Sequence, residues 1–335
     1  MVNIMACYHL LKAWYSKEIN PTGKRSLVFD PKYALEPEDT LDIPCGQCWG
    51  CRLERSRQWA MRCIHESQMH DENCFITLTF SPEGLARRNE EFMLQELKDP
   101  DSVAGWSPIG IHVRDLQLFM KRLRKHYSPR KIRYFQCGEY GDLNMRPHYH
   151  SILFGIDFAD KYHWRTNNGY RCYRSETLEK LWPYGQSEIG SVTFESAAYV
   201  ARYIMKKITG DIADDHYTIV DEDDIDFETG EIKTYKIHPE FVTMSRRPGI
   251  GFTWFTQFSS DVYPKDFVTV NGKKMKPPKY YDKLLDLLDP DELAFLKDVR
   301  QDAAIVYSKE NEYDRLLQRE AVVVSKLKRL PRDGV

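Results

Sequence analysis

The sequence lacks several features that would place it in a large functional class. No apolar run approaches the roughly 18 residues of a membrane span, and the first residues show no signal-peptide pattern. A GxxxxGK motif followed by Ser or Thr is also absent, which gives no sign of a P-loop helicase. The net charge is only −2, so nucleic-acid binding would require local segregation of charge. We expect an intracellular protein with no membrane association.

Cysteine is present eight times, and three of the cysteines form the cluster Cys45-Gly-Gln-Cys48-Trp-Gly-Cys51. In a reducing compartment such residues are more often thiols or metal ligands than disulfides. The spacing lets thiolates converge on one ion, but a closed structural zinc site needs four ligands. The alternative is a turn of reduced cysteines that leads into a helix. Three residues can supply a fourth ligand: Cys7, Cys63 and His65.

Two histidines mark the clearest candidate for a second metal site. Residues 132–155 read as two strands joined by a turn rich in Gly, Asp and Asn, with His148 and His150 at the start of the second strand. Side chains alternate along a strand, so both imidazoles point the same way. Glu139 lies across the hairpin and can complete a three-ligand site with open positions. Histidines at this spacing also occur on half-buried strands without a metal.

A helix is predicted from Ser196 to Gly210, and tyrosines and cations share one of its faces. Steps of ~100° per residue bring together Tyr199, Arg202, Tyr203 and Lys206, opposite an apolar face. The two phenols lie about one turn apart, roughly 6 Å along the axis. Tyrosine can act as a covalent nucleophile, and nearby positive charge favours the phenolate. Tyrosines at the boundary of a core are the alternative reading.

The other predicted elements surround these two candidates. Residues 52–69 and 112–126 read as amphipathic helices, 74–81 as a central strand, and 82–110 as a variable loop or short helix. The cationic face of the 112–126 helix suits either a phosphate-backbone groove or plain solvation. After Gly155, a loop of aromatic and arginine residues can stack bases or form a small core. Residues 211–231 read as an acidic hairpin or mobile insertion, and 289–330 as one or two charged helices.

Three of these motifs together resemble a known family. The strand Phe75–Phe80, the strand Arg146–His150 and the helix Tyr199–Lys207, in that order, resemble the motifs of HUH endonucleases, in particular two-tyrosine rolling-circle replication initiators. The sequence is especially similar to initiators of the small single-stranded DNA phages, the microviruses and gokushovirus-like phages. This similarity includes Gly138-Glu-Tyr-Gly141, the cysteine cluster and Tyr280-Tyr281-Asp282, and it covers most of residues 7–285.

The resemblance implies roles for individual residues. It makes His148 and His150 ligands of Mg²⁺ or Mn²⁺ with Glu139 as third ligand, although Gln136 or Asp142 can take that place. It makes Tyr199 and Tyr203 the nucleophiles, with Lys206 steadying the phosphate. Further contacts to DNA are expected from five cations: Arg202, Lys207, Arg122, Lys125 and Arg146. A structural Zn²⁺ is expected on four cysteines: Cys45, Cys48, Cys51 and Cys7.

The resemblance also implies an architecture and a function. We expect an α+β fold, an α/β sandwich whose central antiparallel sheet carries the histidines between flanking helices. A Cys-cluster region (1–70) would pack on a nuclease domain (71–260) with the acidic insertion 211–231, followed by a helical region (261–335). The protein would nick a single-stranded DNA origin in the cytoplasm of the infected bacterium, form a 5′-phosphotyrosyl intermediate and later rejoin the strand, with host helicase and polymerase as partners.

Two other functions fit parts of the same evidence. A plasmid initiator, relaxase or single-strand transposase shares the chemistry, although the two-tyrosine helix argues against one-tyrosine types. A zinc-dependent nucleic-acid-binding regulator built on the cysteine cluster would bind DNA without covalent attachment.

Overall fold

The structure is a computed structural model that describes residues 7–104, 106–141, 145–167, 169–202, 213–225, 232–306 and 308–329. Its contacts divide the chain into two compact units. The central unit contains residues 56–265, and the terminal unit combines the residues up to Arg55 with those from Asp266 onward. The predicted boundaries after residues 70 and 260 gave three segments; the contacts instead group the N-terminal and C-terminal segments into one unit.

The strands are β1 (Leu11–Ile19), β2 (Arg25–Val28), β3 (Leu41–Ile43), β4 (Asn73–Thr79), β5 (Arg133–Tyr140), β6 (Pro147–Phe154), β7 (Tyr162–Asn167), β8 (Tyr170–Arg174), β9 (Ser187–Gly190), β10 (Thr218–Ile225), β11 (Ile232–Lys236), β12 (Phe241–Met244), β13 (Val268–Val270) and β14 (Lys273–Met275). The helices are α1 (Trp49–Ser67), α2 (Pro82–Glu96), α3 (Val113–His126), α4 (Glu176–Leu181), α5 (Phe194–Arg202), α6 (Ala213–His216), α7 (Phe252–Val262), α8 (Lys279–Leu288), α9 (Pro290–Val306) and α10 (Tyr313–Lys328). Short 3-10 helices lie at Pro31–Tyr33, Pro100–Val103 and Ser308–Asn311.

The central unit is built on a seven-stranded sheet in the order β12-β5-β6-β4-β9-β8-β7. Every neighbouring pair in it is antiparallel. Strand β4, with the sequence Asn-Cys-Phe-Ile-Thr-Leu-Thr, occupies the middle position, as its β-branched and aromatic content predicts. The expected α+β fold, with a central antiparallel sheet and flanking helices, is confirmed.

Each face of this sheet has its own core, because alternate side chains point to opposite faces. On one face, Ile76, Leu78 and Leu153 pack with the apolar stripe of α3. On the other face, Phe75, Ile152 and Phe154 pack with residues of α1 and α5. We call the second face the α5 face. The sheet therefore has helices on both sides, and α3 and α5 lie on opposite ones.

Helix α2 is longer than the loop or short helix predicted for residues 82–110. Ser81 caps it by accepting a hydrogen bond from the N–H of Gly84. Its buried positions are Gly84, Arg88 and Phe92, spaced four apart. A Cβ on Gly84 would lie 1.7 Å from the carbonyl oxygen of Tyr184, so only glycine allows this approach. The helix was missed because its buried stripe contains glycine and arginine instead of apolar residues.

The aromatic segment after Gly155 also differs from the prediction, since it forms the hairpin β7–β8 at the edge of the sheet. Every residue of β7 except the last is exposed, so the strand carries no hydrophobic alternation that the sequence could reveal. The acidic segment contains the antiparallel pair β10–β11, which fits the predicted hairpin over its described residues.

The terminal unit contains a three-stranded sheet in the order β2-β1-β3, the hairpin β13–β14, and helices α8, α9 and α10. Arg300 of α9 forms paired hydrogen bonds with the carboxylates of Asp266 and Asp282. The prediction of charged helices in residues 289–330 is confirmed by α9 and α10. Among the described residues, no helix has both the length and the apolar character needed to cross a membrane.

Candidate functional site

The predicted metal ligands meet on the α5 face of the central sheet. Strands β5 and β6 pair so that Glu139 is directly opposite His148, and His150 is two residues further along β6. The Oε1 atom of Glu139 lies 2.5 Å from Nε2 of His148 and 2.9 Å from Nε2 of His150. One carboxylate oxygen and two imidazole nitrogens thus converge on one point, as the sequence predicted.

Hydrogen bonds on the far side of each imidazole orient the ring. Nδ1 of His148 lies 3.0 Å from the carbonyl oxygen of Arg146, which only accepts, so Nδ1 carries the proton. Nδ1 of His150 lies 3.0 Å from the hydroxyl of Thr77, which can accept in the same way. In a neutral ring this tautomer leaves the lone pair on Nε2, the atom that faces Glu139. A lone pair opposite a carboxylate requires a cation or a proton between them, and outer hydrogen bonds of this kind are typical of metal-binding histidines.

Glu139 is ionised in this setting. Its side chain is almost completely buried, and burial alone would raise the pKa of the carboxyl group. When protons occupy Nε2 of both rings, hydrogen bonds from His148 and His150 and their charge outweigh burial and lower the pKa of Glu139 to about 2. A buried carboxylate that stays charged beside two imidazoles is a suitable donor set for a divalent cation, with hard oxygen and borderline nitrogen ligands.

Helix α5 brings Tyr199 to the same site. Before the helix, the Thr193 hydroxyl accepts from the N–H of Ser196, and the Ser196 hydroxyl accepts from the N–H of Thr193. This reciprocal pair satisfies N–H groups at the start of the helix. Ala197 and Val200 are fully buried against the sheet, and the part-buried Tyr199 is directed at the ligands. Its hydroxyl lies 3.5 Å from Oε1 of Glu139.

The Tyr199 ring also contacts a ligand ring directly. Its centroid lies 5.1 Å from that of His150, with the ring planes at 88°. Ser56 of α1 fixes α5 from the other side by donating a 2.8 Å hydrogen bond to the carbonyl of Ala198. The phenol, both imidazoles and the carboxylate are therefore held by three secondary-structure elements, a β-hairpin and two packed helices.

Comparisons with known proteins agree with this arrangement. The family described as replication-associated protein ORF2 matches residues 73–208, a range that contains the three ligands and Tyr199. The replication-associated protein VP4 of Bdellovibrio phage phiMH2K is 32% identical over 279 residues, which cover 83% of this chain and 76% of that protein. The replication-associated protein ORF2 of Spiroplasma virus 4 is 30% identical over 273 residues, 78% of this chain and 74% of that protein.

This chain belongs to the family of phage replication-associated proteins. A third relative, the replication-associated protein ORF4 of Chlamydia phage 1, is 26% identical over 265 residues, 76% of this chain and 56% of that protein. The relatives come from small single-stranded DNA phages. No solved structure matches the chain.

Several residues that the sequence nominated are not brought to the site. Gln136 points to the opposite face of β5, where its amide donates to the hydroxyl of Thr243, so it is excluded as an alternative third ligand. Asp142, the other alternative, lies outside the described residues. Arg122 and Lys125 lie on α3, across the sheet from the ligands, and Arg122 donates to the carbonyl of Leu181. A phosphate groove on α3 beside the metal ligands is therefore not formed.

The remaining candidates are only partly described. Arg146 is exposed and donates to the carbonyl of Phe80, while its own carbonyl orients His148. Arg202 ends α5, but its side chain is outside the description. Tyr203, Lys206 and Lys207 lie in the segment 203–212, outside the described residues, so their predicted roles stay predictions.

The cysteine cluster closes with Cys7 as its fourth member. The Sγ atoms of Cys7, Cys45, Cys48 and Cys51 all lie within 4.8 Å of one another. The Sγ atoms of Cys7 and Cys48 are 3.9 Å apart, close to the ~3.8 Å expected for a tetrahedral zinc site with bonds of about 2.3 Å. The other proposed fourth ligands are used elsewhere: Cys63 lies in the core beneath the α5 face, and His65 stacks on Trp254 at 3.5 Å.

Backbone N–H groups point at these sulfur atoms. Tyr8 donates to Sγ of Cys48 at 3.3 Å, Cys45 donates to Cys7 at 3.3 Å, and Cys48 donates to Cys45 at 3.3 Å. Burial raises the pKa of Cys48, but hydrogen bonds from the backbone of Tyr8 and Cys51 outweigh it and lower that pKa to about 7. The cluster therefore favours a thiolate, the form of cysteine that binds metals.

Sequence reasoning missed two side chains that support the site. Thr77 orients His150, and Ser56 anchors α5. Neither carries a signal in the sequence, because a threonine in a strand and a serine in a helix are common. Only the pairing of β4 with β6, which sets Thr77 directly opposite His150, reveals the first of them.

Proposed function

We propose that this protein is a metal-dependent single-stranded DNA endonuclease and strand transferase that initiates rolling-circle replication of a phage genome in the infected bacterial cell. The proposal is carried by one observation: the Tyr199 hydroxyl lies 3.5 Å from the carboxylate oxygen on which both histidines converge. A tyrosine beside a three-ligand metal site provides a nucleophile next to a place for phosphate. Membership of the replication-associated family supports the biological role.

The metal would be Mg²⁺ or Mn²⁺, held by His148, His150 and Glu139. These ions accept carboxylate oxygen and imidazole nitrogen and keep positions for water and phosphate oxygens. When bound, such an ion polarises the scissile phosphate and neutralises the charge that develops on its oxygens. Strands β5 and β6 hold the ligands in place, and the hydrogen bonds to Thr77 and the Arg146 carbonyl fix the ring orientations.

The chemical step is a phosphodiester exchange. The Tyr199 oxygen forms a bond to phosphorus as the bond from phosphorus to the 3′ oxygen breaks, so the phosphate remains on the 5′ side as a phosphotyrosine. The phenolic proton is lost to solvent and the leaving 3′ oxygen takes one up, which yields a free 3′-OH. Because one phosphodiester replaces another, the step needs no other co-reactant and can run backwards to rejoin a strand.

The released 3′-OH would prime the host polymerase, with unwinding by a host helicase because the sequence has no P-loop motif. Tyr203 would then cleave the regenerated origin, and the new 3′-OH would attack the first link to release a circular strand. Lys206 would steady the phosphate, with Arg202 beside it. These roles follow from the resemblance and the helical spacing of Tyr199 and Tyr203.

The four cysteines would hold a structural Zn²⁺. Their sulfur spacing and the N–H donors directed at them fit a closed tetrahedral site, which leaves no position for substrate. Around them, Tyr8 packs with Leu316 and Val323 of α10, and His9 lies 2.6 Å from Glu320. Zinc would therefore stabilise the docking of α10 on the N-terminal segment within the terminal unit.

Covalent labelling tests the proposed function. The wild-type protein, incubated with Mn²⁺ and labelled single-stranded phage DNA that includes the origin, should form an adduct that survives SDS. Tyr199→Phe should lose this adduct or redirect it to Tyr203, and Tyr199→Phe combined with Tyr203→Phe should form none. Tyr134→Phe, whose phenol lies on the opposite sheet face, should match wild type. An undiminished adduct in the double variant would overturn the proposal.

The same assay separates the alternatives. A zinc-dependent binding regulator would bind the DNA and yield no adduct in any variant. A plasmid initiator, relaxase or transposase would form an adduct, but only an initiator of this kind would release a circle in an origin-dependent manner.

A further inference from the structure

The hairpin β7–β8 presents large aromatic side chains on the α5 face, where the metal ligands also lie. Directly paired residues of neighbouring strands point to the same face. His150 pairs with Thr77, and Thr77 pairs with Glu188 of β9, so a polar row crosses the sheet on this face. Tyr173 pairs with Ile189, which belongs to the core beneath α3. The residues next to Tyr173 in β8 must therefore face the α5 side.

This alternation determines which hairpin residues are on the site-bearing face. In β8 they are Tyr170, Cys172 and Arg174, and their partners in β7 are Asn167, Arg165 and Tyr162. The register shifts between His163 and Arg165, which leaves Trp164 as an extra residue in a bulge. Bulges redirect a side chain, and here the Trp164 ring lies 4.1 Å from the guanidinium of Arg174 on the same face.

A cleft connects the hairpin to the metal ligands. It encloses about 400 Å³ of space open to solvent, and its floor includes Phe75 and Thr77 of β4, Glu188 and Gly190 of β9, and Tyr170 of β8. Phe75 and Thr77 also contact His150, at 5.6 Å between ring centroids and 3.0 Å between Oγ1 and Nδ1. The cleft thus begins at a metal ligand and ends at Tyr170.

Glycine keeps this cleft open. A Cβ added at Gly190 would lie 3.4 Å from the ring of Phe75, and a larger side chain would fill the space above it. The cleft therefore leaves room beside two aromatic rings, Phe75 on β4 and Tyr170 on β8. Aromatic rings with open space beside them are surfaces on which a planar base can stack.

The exposure of the hairpin aromatics points to the chemistry of the occupant. Tyr162, Trp164 and Tyr170 are 55%, 48% and 39% exposed, unusual values for three aromatic residues of one short hairpin. Single-stranded nucleic acid stacks its bases on rings presented in this way.

The charge of the hairpin agrees with such an occupant. Residues 162–174 contain three arginines and no acidic residue. Arg165 pairs with Glu188 of β9 at 2.9 Å, which uses one of the three. Nε of Arg174 is buried without a hydrogen-bond acceptor among the described residues. A guanidinium that lacks an acceptor beside exposed aromatic rings suits the phosphate of a strand whose bases stack on those rings.

We propose that the cleft and the site-facing side of β7–β8 together bind the single-stranded DNA that flanks the cleaved phosphate; this rests on the proposed function. We call this surface the hairpin track. Four strand spacings of ~4.8 Å separate β6 from β7, so the track extends about 19 Å from the metal ligands, enough for several nucleotides. Trp164 and Tyr170 stack bases, and Arg174 contacts a phosphate. The basic helix α3, on the other face, takes no part in this contact.

Binding without metal tests the hairpin track separately from cleavage. A fluorescent oligo(dT) of roughly 20 nucleotides, longer than the site of one small binding module, is titrated in EDTA and followed by anisotropy. Trp164→Ala and Tyr170→Ala should each raise the Kd by about 5- to 100-fold, the effect of removing one base–aromatic stack. His163→Ala is the matched control: an exposed residue of the same hairpin on the opposite face, which should leave the Kd unchanged.

The outcomes separate this proposal from the proposed function. Wild-type Kd values in both alanine variants, with Tyr199 adducts still formed, would overturn the hairpin track and leave the endonuclease intact. Weaker binding in these variants, with no adduct from any protein, would support the track and count against the endonuclease. A wild-type protein that does not bind oligo(dT) would overturn the track, as would a hairpin that captures only another protein.

Cross-linking covers the case in which the alanine variants fail to fold. Wild-type protein is irradiated with an oligonucleotide that carries 5-iodouracil, and the modified peptides are identified by mass spectrometry. Adducts on peptides that contain Trp164 or Tyr170 are expected. Adducts restricted to the α3 peptide with Arg122 and Lys125 would contradict the proposal.

Discussion

Glu139 and His148 are directly opposite each other on β5 and β6, and Oε1 of the carboxylate lies 2.5 Å from Nε2 of the imidazole. Because the Arg146 carbonyl holds an imidazole proton on Nδ1, the neutral ring places a lone pair against a negative oxygen. A cation shared between the two atoms resolves that conflict. The pair is the part of the site on which the metal assignment depends most.

Replacement of Glu139 should therefore remove metal-dependent cleavage and spare DNA binding. Glu139→Gln keeps the size of the side chain but removes its charge, so we expect Mn²⁺ binding, measured by calorimetry, to fall below detection and nicking to stop. Gln136→Ala is the control, since Gln136 lies on the same strand but points to the opposite face, and it should retain both. Nicking at the wild-type rate by Glu139→Gln would show that another residue is the third ligand.

Thr77 should act through His150. Thr77→Val removes the hydroxyl that lies 3.0 Å from Nδ1 while it preserves the shape of the side chain. Loss of an outer hydrogen bond to a metal-binding histidine typically weakens metal affinity by about 10- to 100-fold, and we expect the Kd for Mn²⁺ to rise by that factor in the absence of DNA. Thr77→Ser retains the hydroxyl and should restore the affinity. Equal Mn²⁺ affinity in the valine variant and wild type would mean that Thr77 only packs.

Zinc removal should affect the terminal unit. The purified protein should contain one zinc per chain by elemental analysis, and Cys48→Ser should lose it. Because the cysteines hold the N-terminal segment beside α10, we expect a fall in Tm of about 5–10 °C, the shift that a few kcal/mol causes in a unit of this size. Cys63→Ala replaces a buried cysteine outside the cluster and should keep its zinc. Full zinc content in Cys48→Ser would contradict the four-cysteine site.

Asp115 should make the stability of the protein depend on pH. Burial raises the pKa of its carboxyl group to about 6, because the charge of Arg88 and the hydrogen bond from Tyr149 offset only part of the cost. The folded state then holds the proton more tightly than the unfolded state, whose pKa is near ~3.8. The contribution of Asp115 to stability is therefore greatest below pH ~4 and falls by about 3 kcal/mol as the pH rises to ~6.

Asp115→Asn tests this linkage. The amide cannot ionise, but its oxygen can still accept the hydrogen bond from Tyr149. We expect a flatter pH dependence between pH ~4 and ~6 and higher stability at neutral pH, measured by urea unfolding. The exposed Asp71 supplies the control, since Asp71→Asn should keep the wild-type slope. An unchanged slope in Asp115→Asn would mean that another group is responsible.

The sequence by itself determined the local chemistry. Strand alternation placed His148 and His150 on one face, the short turn placed Glu139 opposite them, and helical spacing directed Tyr199 away from the apolar side of its helix. The cysteine spacing likewise predicted a thiolate cluster. These relations depend on neighbours within a few residues or across one hairpin, where covalent geometry and side-chain periodicity are sufficient.

The tertiary structure decided every relation between distant segments. The pairing of β4 with β6 brought Thr77 to His150, and the course of the chain selected Cys7 over Cys63 and His65. It also put α3 on the face opposite the metal ligands and added the hairpin β7–β8 to the site-bearing face. Strand order and the choice of sheet face depend on how the whole core is packed, because moving an element to the other face changes no local pattern. A sequence read segment by segment therefore located the chemistry of the site but not the surfaces that surround it.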